Sequence, residues 1–488
     1  MNIIFSCVTN YTIFISYILI KTVYKDDYNI LIVNDALIEK DIIDRIKRIK
    51  VWDEVIYSKD DNCNEEIQKI EYRKIDVFNM YNIEFCKNIF EMLFYKDVEF
   101  NLIEEGTATW NLDLFFEYHV KSVNQSLKKD QIKKRINKIF VLDKRLIESK
   151  YKFLIKNINI DDVISNDKIR QSYLKDLNYI FGYIQENINS NVVYFDNNLS
   201  QAFISSRSDD IYLNDIIIDA FNKLLIKPHP NDYKYKYNNI DEDMIIKNKN
   251  IPWEIIYLNN YEVIEKSNLL YVSIVSTSLF LTKILNKSSK VKSVFLHDLV
   301  RNACSSRFNN EINDYKYKEI VEKYNFIYGQ TVYMPATIEE YFDILKKIDI
   351  DFNKKAIKKY DIYFENAKYE MNYQKNSNDF IFSRTMYWLK KTFADSKIKI
   401  CLWGTGGVSE KTINKMQEYN LDYTLTSVID NFKKGSYKGI TICNQEMIGE
   451  LEYDIILICT SISKIEVEEY LINKGLKYGK DFVYGFSI

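Results

Sequence analysis

Short apolar runs recur along this chain of 488 residues, separated by stretches with helical spacing. Residues 2–8, 28–34 and 54–57 read as strands, with helices over 11–24 and 38–49 between them. The first two runs do not alternate apolar with polar side chains, as a strand with one wet face would. Strand alternating with helix in this way commits a chain to parallel sheets covered by helices. A helix over 81–92 and a strand over 97–103 continue the rhythm. Residues 120–190 are charged and read as helical, and the basic run at 128–135 is a solvated helix face. The pattern then restarts, with strands at 192–195, 255–258 and 269–274, a helical start at 215–222, and an apolar run ending at Lys227. It restarts again at 398–403, with later strands ending near Asn431 and Cys459. The expected fold is α/β: two Rossmann-type domains facing a cleft, and a third, small Rossmann-like domain at the C-terminus. Residues 1–120 form the first domain, 121–190 a helical connector, 191–345 the second domain, 346–395 a helical linker and 396–488 the third.

Composition excludes several classes. A net charge of −2 does not suit a dedicated nucleic-acid binder. The 7 cysteines are odd in number and scattered, with no CxxC pair. That fits a reducing cytoplasm better than a disulfide framework or a zinc site. The apolar start of the chain has no basic segment before it and no small-residue cleavage site after it, so it reads as a buried strand and not a leader. No run of about twenty uninterrupted apolar residues predicts a transmembrane helix.

Three stretches carry chemistry, each at the C-terminal end of an expected strand, where open α/β sheets bind ligands. The strand over 97–103 runs into Glu104-Glu105-Gly106. Neighbouring strand residues face opposite ways, so one carboxylate can hold loop amides while the other enters a cleft. Gly106 permits a sharp turn and close approach of a substrate. Lys227-Pro228-His229-Pro230 places one of the chain's 3 histidines between two of its 4 prolines. Each proline fixes its own φ, which stiffens the loop that carries the imidazole. Ser276-Thr277-Ser278 offers three hydroxyls where a strand hands over to a helix, an arrangement suited to an anion. Thr9 and Asn10, at the end of the first strand, are further substrate-side candidates. Asp241-Glu242-Asp243 has a metal-nucleotide form but follows a polar loop, and it reads as loop charge.

These stretches, with Pro252-Trp253-Glu254 between the last two, occur in the order seen in bacterial sialyltransferases of glycosyltransferase family 52. Residues 1–345 resemble that family and its relatives, the capsule polysialyltransferases. Asn198-Leu199-Ser200-Gln201 resembles more loosely the segment that opens the family's second domain. The resemblance implies a GT-B-like enzyme that moves sialic acid from CMP-sialic acid to a sugar hydroxyl of a cell-surface glycan, lipooligosaccharide or capsule, with inversion and without a metal. Glu105, with Glu104 beside it, would take the proton of the attacking hydroxyl, and His229 would assist the departing phosphate. Lys227, Pro230, Glu254, Ser276, Thr277 and Ser278 would hold the donor, with Gly106, Thr9 and Asn10 near the substrate. No nucleic-acid partner is implied. The location implied is cytoplasmic, and peripheral contact with the inner membrane surface and homo-oligomers are both compatible with it. Two other readings stand beside this one: a hexosyltransferase using another nucleotide sugar in the same fold, and a nucleotide- or NAD-binding regulatory protein.

The last reading rests on the third unit. Gly404-Thr405-Gly406-Gly407-Val408-Ser409 follows a strand and opens a helix, and Asp430 ends the next strand, as in a dinucleotide-binding fold. Ser409 stands where the third glycine of the fingerprint belongs. Neither NAD nor another nucleotide is therefore expected there, and no cofactor is expected for the reaction.

Overall fold

The computed structural model describes residues 1–33, 38–57, 70, 73–81, 83, 86–119, 129–147, 155–197, 199, 214, 217–230, 237, 240–301, 316–353, 385–386, 389–390, 392–393, 396–460, 463–477 and 480–485. The first sheet has seven strands: β1 (Asn2–Cys7), β2 (Tyr28–Val33), β3 (Glu54–Tyr57), β4 (Val77–Met80), β5 (Glu99–Ile103), β6 (Ile136–Val141) and β7 (Ile155–Asn157). Their order is β3-β2-β1-β4-β5-β6-β7, and every pairing is parallel. The order reverses between β1 and β4, which opens a crevice at the carboxyl ends of those strands. Residues 3–5 and 30–31 are wholly buried, because helices cover both faces of a parallel sheet. Helix α1 (Asn10–Thr22) is buried along most of its length, and α2 (Lys40–Ile49) buries only Ile42, Ile43 and Ile46.

The second sheet contains β8 (Val192–Phe195), β9 (Leu225–Lys227), β10 (Leu270–Ser273), β11 (Lys292–Phe295) and β12 (Val332–Tyr333), in the order β12-β11-β10-β8-β9 and again all parallel. Its reversal falls between β8 and β10. One continuous apolar core runs through both sheets and their helices, from Ile3 to Ile350.

Three sequence expectations are corrected. The span assigned to a helical connector also supplies β6 and β7, so the first sheet continues past residue 120 to Asn157. The helix expected over 81–92 occupies Lys87–Leu93, and β4 precedes it unannounced. Residues 255–258 are helical, not a strand: they lie in α3 (Trp253–Asn259), whose N-cap is Pro252 and whose residues 253–258 are all buried. A short apolar run buried on every side has no polar alternation to tell helix from strand. The segment 346–395 is described only in part, and Asn198, Ser200 and Gln201 lie outside the described residues.

The third sheet contains β13 (Ile398–Trp403), β14 (Tyr423–Ile429), β15 (Ser436–Tyr437), β16 (Ile440–Cys443), β17 (Ile455–Ile458) and β18 (Phe482–Tyr484), in the order β15-β16-β14-β13-β17-β18. Only the β15–β16 pair is antiparallel. Alternate residues of β13 feed two separate cores, Ile398, Ile400 and Leu402 on one face and Cys401 and Trp403 on the other. Met386 and Leu389 join the first of these, upstream of the boundary expected at 396. The large core closes with Ile348 and Ile350, with Phe352 packed on it and Asn353 N–H donating to Ala220 O. Ending the chain after Asn353 is therefore expected to leave a protein that melts cooperatively. A broad, non-cooperative transition of that fragment by circular dichroism would show that the third domain is needed to complete the fold.

Candidate active site

The two large sheets meet where the strand-end motifs lie. Gly106 has φ +116°, and a Cβ there would sit 2.6 Å from Thr277 Cγ2. Glycine is thus demanded twice at this position, by the backbone and by the approach of the second domain. Next to it, the Thr107 and Thr277 hydroxyls lie 3.0 Å apart, and Thr107 N–H donates to Thr277 Oγ1 at 3.3 Å. Trp110 packs edge-on against Phe280, 5.4 Å between ring centres. A second bridge joins α1 to the loop before α3, where Asn10 Nδ2 donates to Asn250 O at 2.6 Å.

The two adjacent carboxylates have different surroundings. Glu104 is fully buried; Oε1 accepts from Trp110 Nε1 at 2.6 Å and Oε2 from the Leu142 amide at 2.5 Å. It thereby ties the end of β5 to the end of β6. Burial pushes its carboxyl up to about 7, opposed by those two donors. Glu105 is partly exposed and has its amide on Thr109 Oγ1 at 3.0 Å. Desolvation pushes its carboxyl up to about 7 as well, and a hydrogen bond from Tyr81 opposes the rise. Tyr81 directly follows β4, so Glu105 and its partner stand beside the crevice between β1 and β4. Burial, reinforced by Glu104, Glu254 and Glu105, holds the hydroxyl of Tyr11, in the first turn of α1, well above the usual tyrosine range.

On the second domain, Pro228 is buried, His229 half-buried and Pro230 exposed, so the first proline anchors a loop that presents the imidazole. Ser276, Thr277 and Ser278 are all partly exposed where β10 leads into α4 (Ser278–Leu285). Thr277 is the N-cap but makes no capping bond, because its hydroxyl meets Thr107 across the domains. Ser276 Oγ accepts from the Ser278 amide at 3.3 Å. Asn197 Oδ1 braces this turn, accepting from Ser273 Oγ at 3.0 Å, Ile274 N at 3.2 Å and Val275 N at 3.3 Å.

Two of the expected site residues have partners of their own. Lys227 is buried, and its ammonium donates to Lys249 O at 2.5 Å inside the second domain. Burial pushes it down to about 7, against the attraction of Glu254 and Glu186. It braces the loop that reaches Asn10 and does not stand free for a phosphate. Thr9 caps α1, accepting from the Thr12 amide at 3.2 Å. Glu254 is 2% exposed in the first turn of α3, with its carboxyl pushed up to about 7 by burial, lowered by Lys227 and raised by Glu104. Tyr11, Tyr81 and Asn197 were missed from sequence. Only Asn197, a polar residue two past the end of an apolar strand, left a signal there. Asp241, Glu242 and Asp243 are exposed on and beside a one-turn 3-10 helix. Among the described residues no group of three His, Cys, Asp or Glu side chains is placed to hold a metal. Nor is any helix among them long and apolar enough to cross a membrane.

Two parallel α/β domains meeting through their strand-end loops, with carboxylates on one and a histidine and hydroxyls on the other, define a GT-B-like glycosyltransferase architecture. Residues 34–295 match the family described as alpha-2,8-polysialyltransferase (POLYST), and the chain belongs to that family. It is accordingly a sialyltransferase-like glycosyltransferase. Residues 396–481 match the family described as C2185-like, N-terminal. No curated protein matches the sequence. Among solved structures, an alpha/beta-galactoside alpha-2,3-sialyltransferase of Photobacterium phosphoreum is 12% identical, covering 68% of this chain and 98% of its own, with a TM-score of 0.43. S. aureus MnaA in a co-structure with UDP is 12% identical over 72% of this chain and 97% of its own, with a TM-score of 0.38.

Proposed function

We propose that the protein transfers sialic acid from CMP-sialic acid to a sugar hydroxyl of a cell-surface glycan, with inversion and without a metal ion. One observation carries the reading: the loop bearing Glu105 and the loop bearing Ser276, Thr277 and Ser278 are joined at Gly106 and Thr277. A base on one domain and an anion site on the other then stand on adjoining loops. Glu105, partly exposed and with its carboxyl pushed up to about 7, accepts the acceptor hydroxyl's proton as that oxygen attacks the anomeric carbon. The bond from that carbon to the phosphate oxygen breaks, and the electron pair leaves with CMP. His229 donates to the departing phosphate, while the Ser276 and Ser278 hydroxyls, at the positive end of α4, stabilise its growing charge. Glu254 lies buried beside Lys227 and steadies the charge of that ammonium, which holds the Lys249 carbonyl in the second domain. Glu104 acts through Trp110 and Leu142 in the same way on the first domain.

CMP leaves with one phosphate, so less charge needs neutralising than for a nucleoside diphosphate. The test is turnover of CMP-sialic acid and of UDP-hexoses by the purified protein in excess EDTA. CMP-sialic acid consumption that persists with the chelator is expected. Turnover of a UDP-hexose alone, or activity lost to EDTA and restored by Mg²⁺ or Mn²⁺, would replace this reading with a hexosyltransferase.

A further inference from the structure

The third domain holds a cavity of about 520 Å³ at the carboxyl ends of β13, β14 and β17. The strand order reverses between β13 and β17, so this is the crevice where an open α/β sheet takes a ligand. The walls are Trp403 with the glycine loop 404–408, the turn after β14 from Asp430 to Lys433, and Cys459, Thr460, Ser463 and Glu466 after β17.

The glycines separate what the fold needs from what it does not. Gly404 has φ +109°, and a Cβ on it would lie 3.0 Å from Cys459 O, so the chain itself requires glycine there. Gly406 has φ −89° and ψ −169°, ordinary extended backbone, and Gly407 opens the helix α5 (Gly407–Glu418). A Cβ on either would meet nothing within 4 Å. Neither strain nor packing explains two missing side chains that line a cavity, in a chain with only 12 glycines. A ligand pressed against that backbone does.

The chemistry around the loop says what kind. Ser409 N–H donates to Gly406 O at 3.0 Å, and the Gly407 and Val408 amides that open α5 face negative charge well. Lys433 Nζ donates to Thr405 O at 3.3 Å, which holds its ammonium over the same loop. Thr460 and Ser463, whose hydroxyls lie 3.1 Å apart, line the opposite strand end. Phe432 is 88% exposed on the turn that forms the cavity's wall, a position with no benefit to folding but suited to stacking a planar base. Asp430 accepts from the Phe432 and Lys433 amides on Oδ1 and from Thr405 Oγ1 on Oδ2. A carboxylate offers about four lone-pair sites, so one remains, enough for a single ribose hydroxyl and too few for the two-point grip of a tightly held dinucleotide. Ser409, the departure from the glycine fingerprint, is fully buried with its hydroxyl on Gly404 O at 2.7 Å, so it closes the turn without filling the cavity.

The geometry points to an exchangeable nucleotide, one nucleoside carrying a phosphate or diphosphate, bound in this third-domain cavity independently of the transferase cleft. Calorimetric titration of the full-length protein with ADP, UDP, CMP and inorganic phosphate tests it, alongside Gly406→Val and Phe432→Ala. At least one nucleotide is expected to bind. Gly406→Val should weaken that binding about tenfold or more, the equivalent of losing one hydrogen bond to a charged group. Phe432→Ala should weaken it about fivefold or more by removing the stacking platform. Melting without nucleotide should not change for Phe432→Ala, which alters only an exposed ring and keeps the test valid even if the valine variant misfolds. Nucleotide binding that neither variant weakens belongs to the transferase cleft and would overturn the proposal, as would no binding at all. Inorganic phosphate binding as tightly as the nucleotides would overturn the nucleoside assignment, and NAD retained through purification would overturn the single-nucleoside one.

Discussion

His229→Ala is expected to lower donor turnover by about 10²–10⁴-fold, the usual contribution of a positioned acid or base. Its melting temperature should stay close to that of the parent. The reason for the second half lies in the loop. Pro228 is buried and anchors it, both prolines fix their own φ, and neither constraint depends on the imidazole between them. Removing the ring therefore removes a proton donor and leaves its support. Steady-state kinetics with CMP-sialic acid, read beside a thermal melt, decides the matter. A variant that keeps more than about a tenth of parental turnover would take His229 out of the chemistry. One that melts far below the parent would make it a structural residue.

Glu105→Gln is expected to be nearly as damaging to turnover, with nucleotide affinity little changed, because the amide cannot accept the acceptor's proton. Glu104→Gln should behave differently. Both Glu104 oxygens accept hydrogen bonds, from Trp110 and Leu142, and an amide turns an NH₂ toward one of those donors. An unsatisfied buried donor costs about 1–3 kcal/mol, so stability should fall more than chemistry. The pH dependence carries a sign for each residue. A base works only when ionised, and the Glu105 carboxyl is pushed up to about 7, so transfer should fall as pH drops below about 7. Glu104 is raised from 4.5 to about 7 by burial, so the folded state binds its proton more tightly than the unfolded chain does. Its contribution to stability is present at acid pH and is lost as pH rises from about 4.5 to 7. If Glu104→Gln proves the more damaging to turnover at equal stability, the base is Glu104. If both effects are mild, neither carboxylate is the base.

The strands that were legible in sequence are the ones whose burial is decided locally. Residues 398–403 and 54–57 are short, mostly apolar runs, and both form strands over those spans. The split between Glu104 and Glu105 was also legible, because alternation along a strand is a property of the backbone alone. The sequence therefore determined the parallel α/β layers, the strand-end position of each motif and the different surroundings of the two carboxylates. Where a neighbour decided the outcome, sequence was silent or misleading. β6 lies inside a charged stretch and is a strand because β5 offers it an edge. Residues 255–258 are helical because they are buried on all sides behind Pro252. Lys227 turned inward because a carbonyl 22 residues later lies within reach of its long side chain. Thr277 left its own helix uncapped because Thr107, 170 residues earlier in the chain, meets its hydroxyl from the other domain. Gly406 and Gly407 looked like the rest of a fingerprint until the open space beside them set them apart from Gly404. In each case the tertiary structure decided, because a side chain's direction and the need for a glycine depend on which atoms arrive from elsewhere, and spacing along the chain does not carry that.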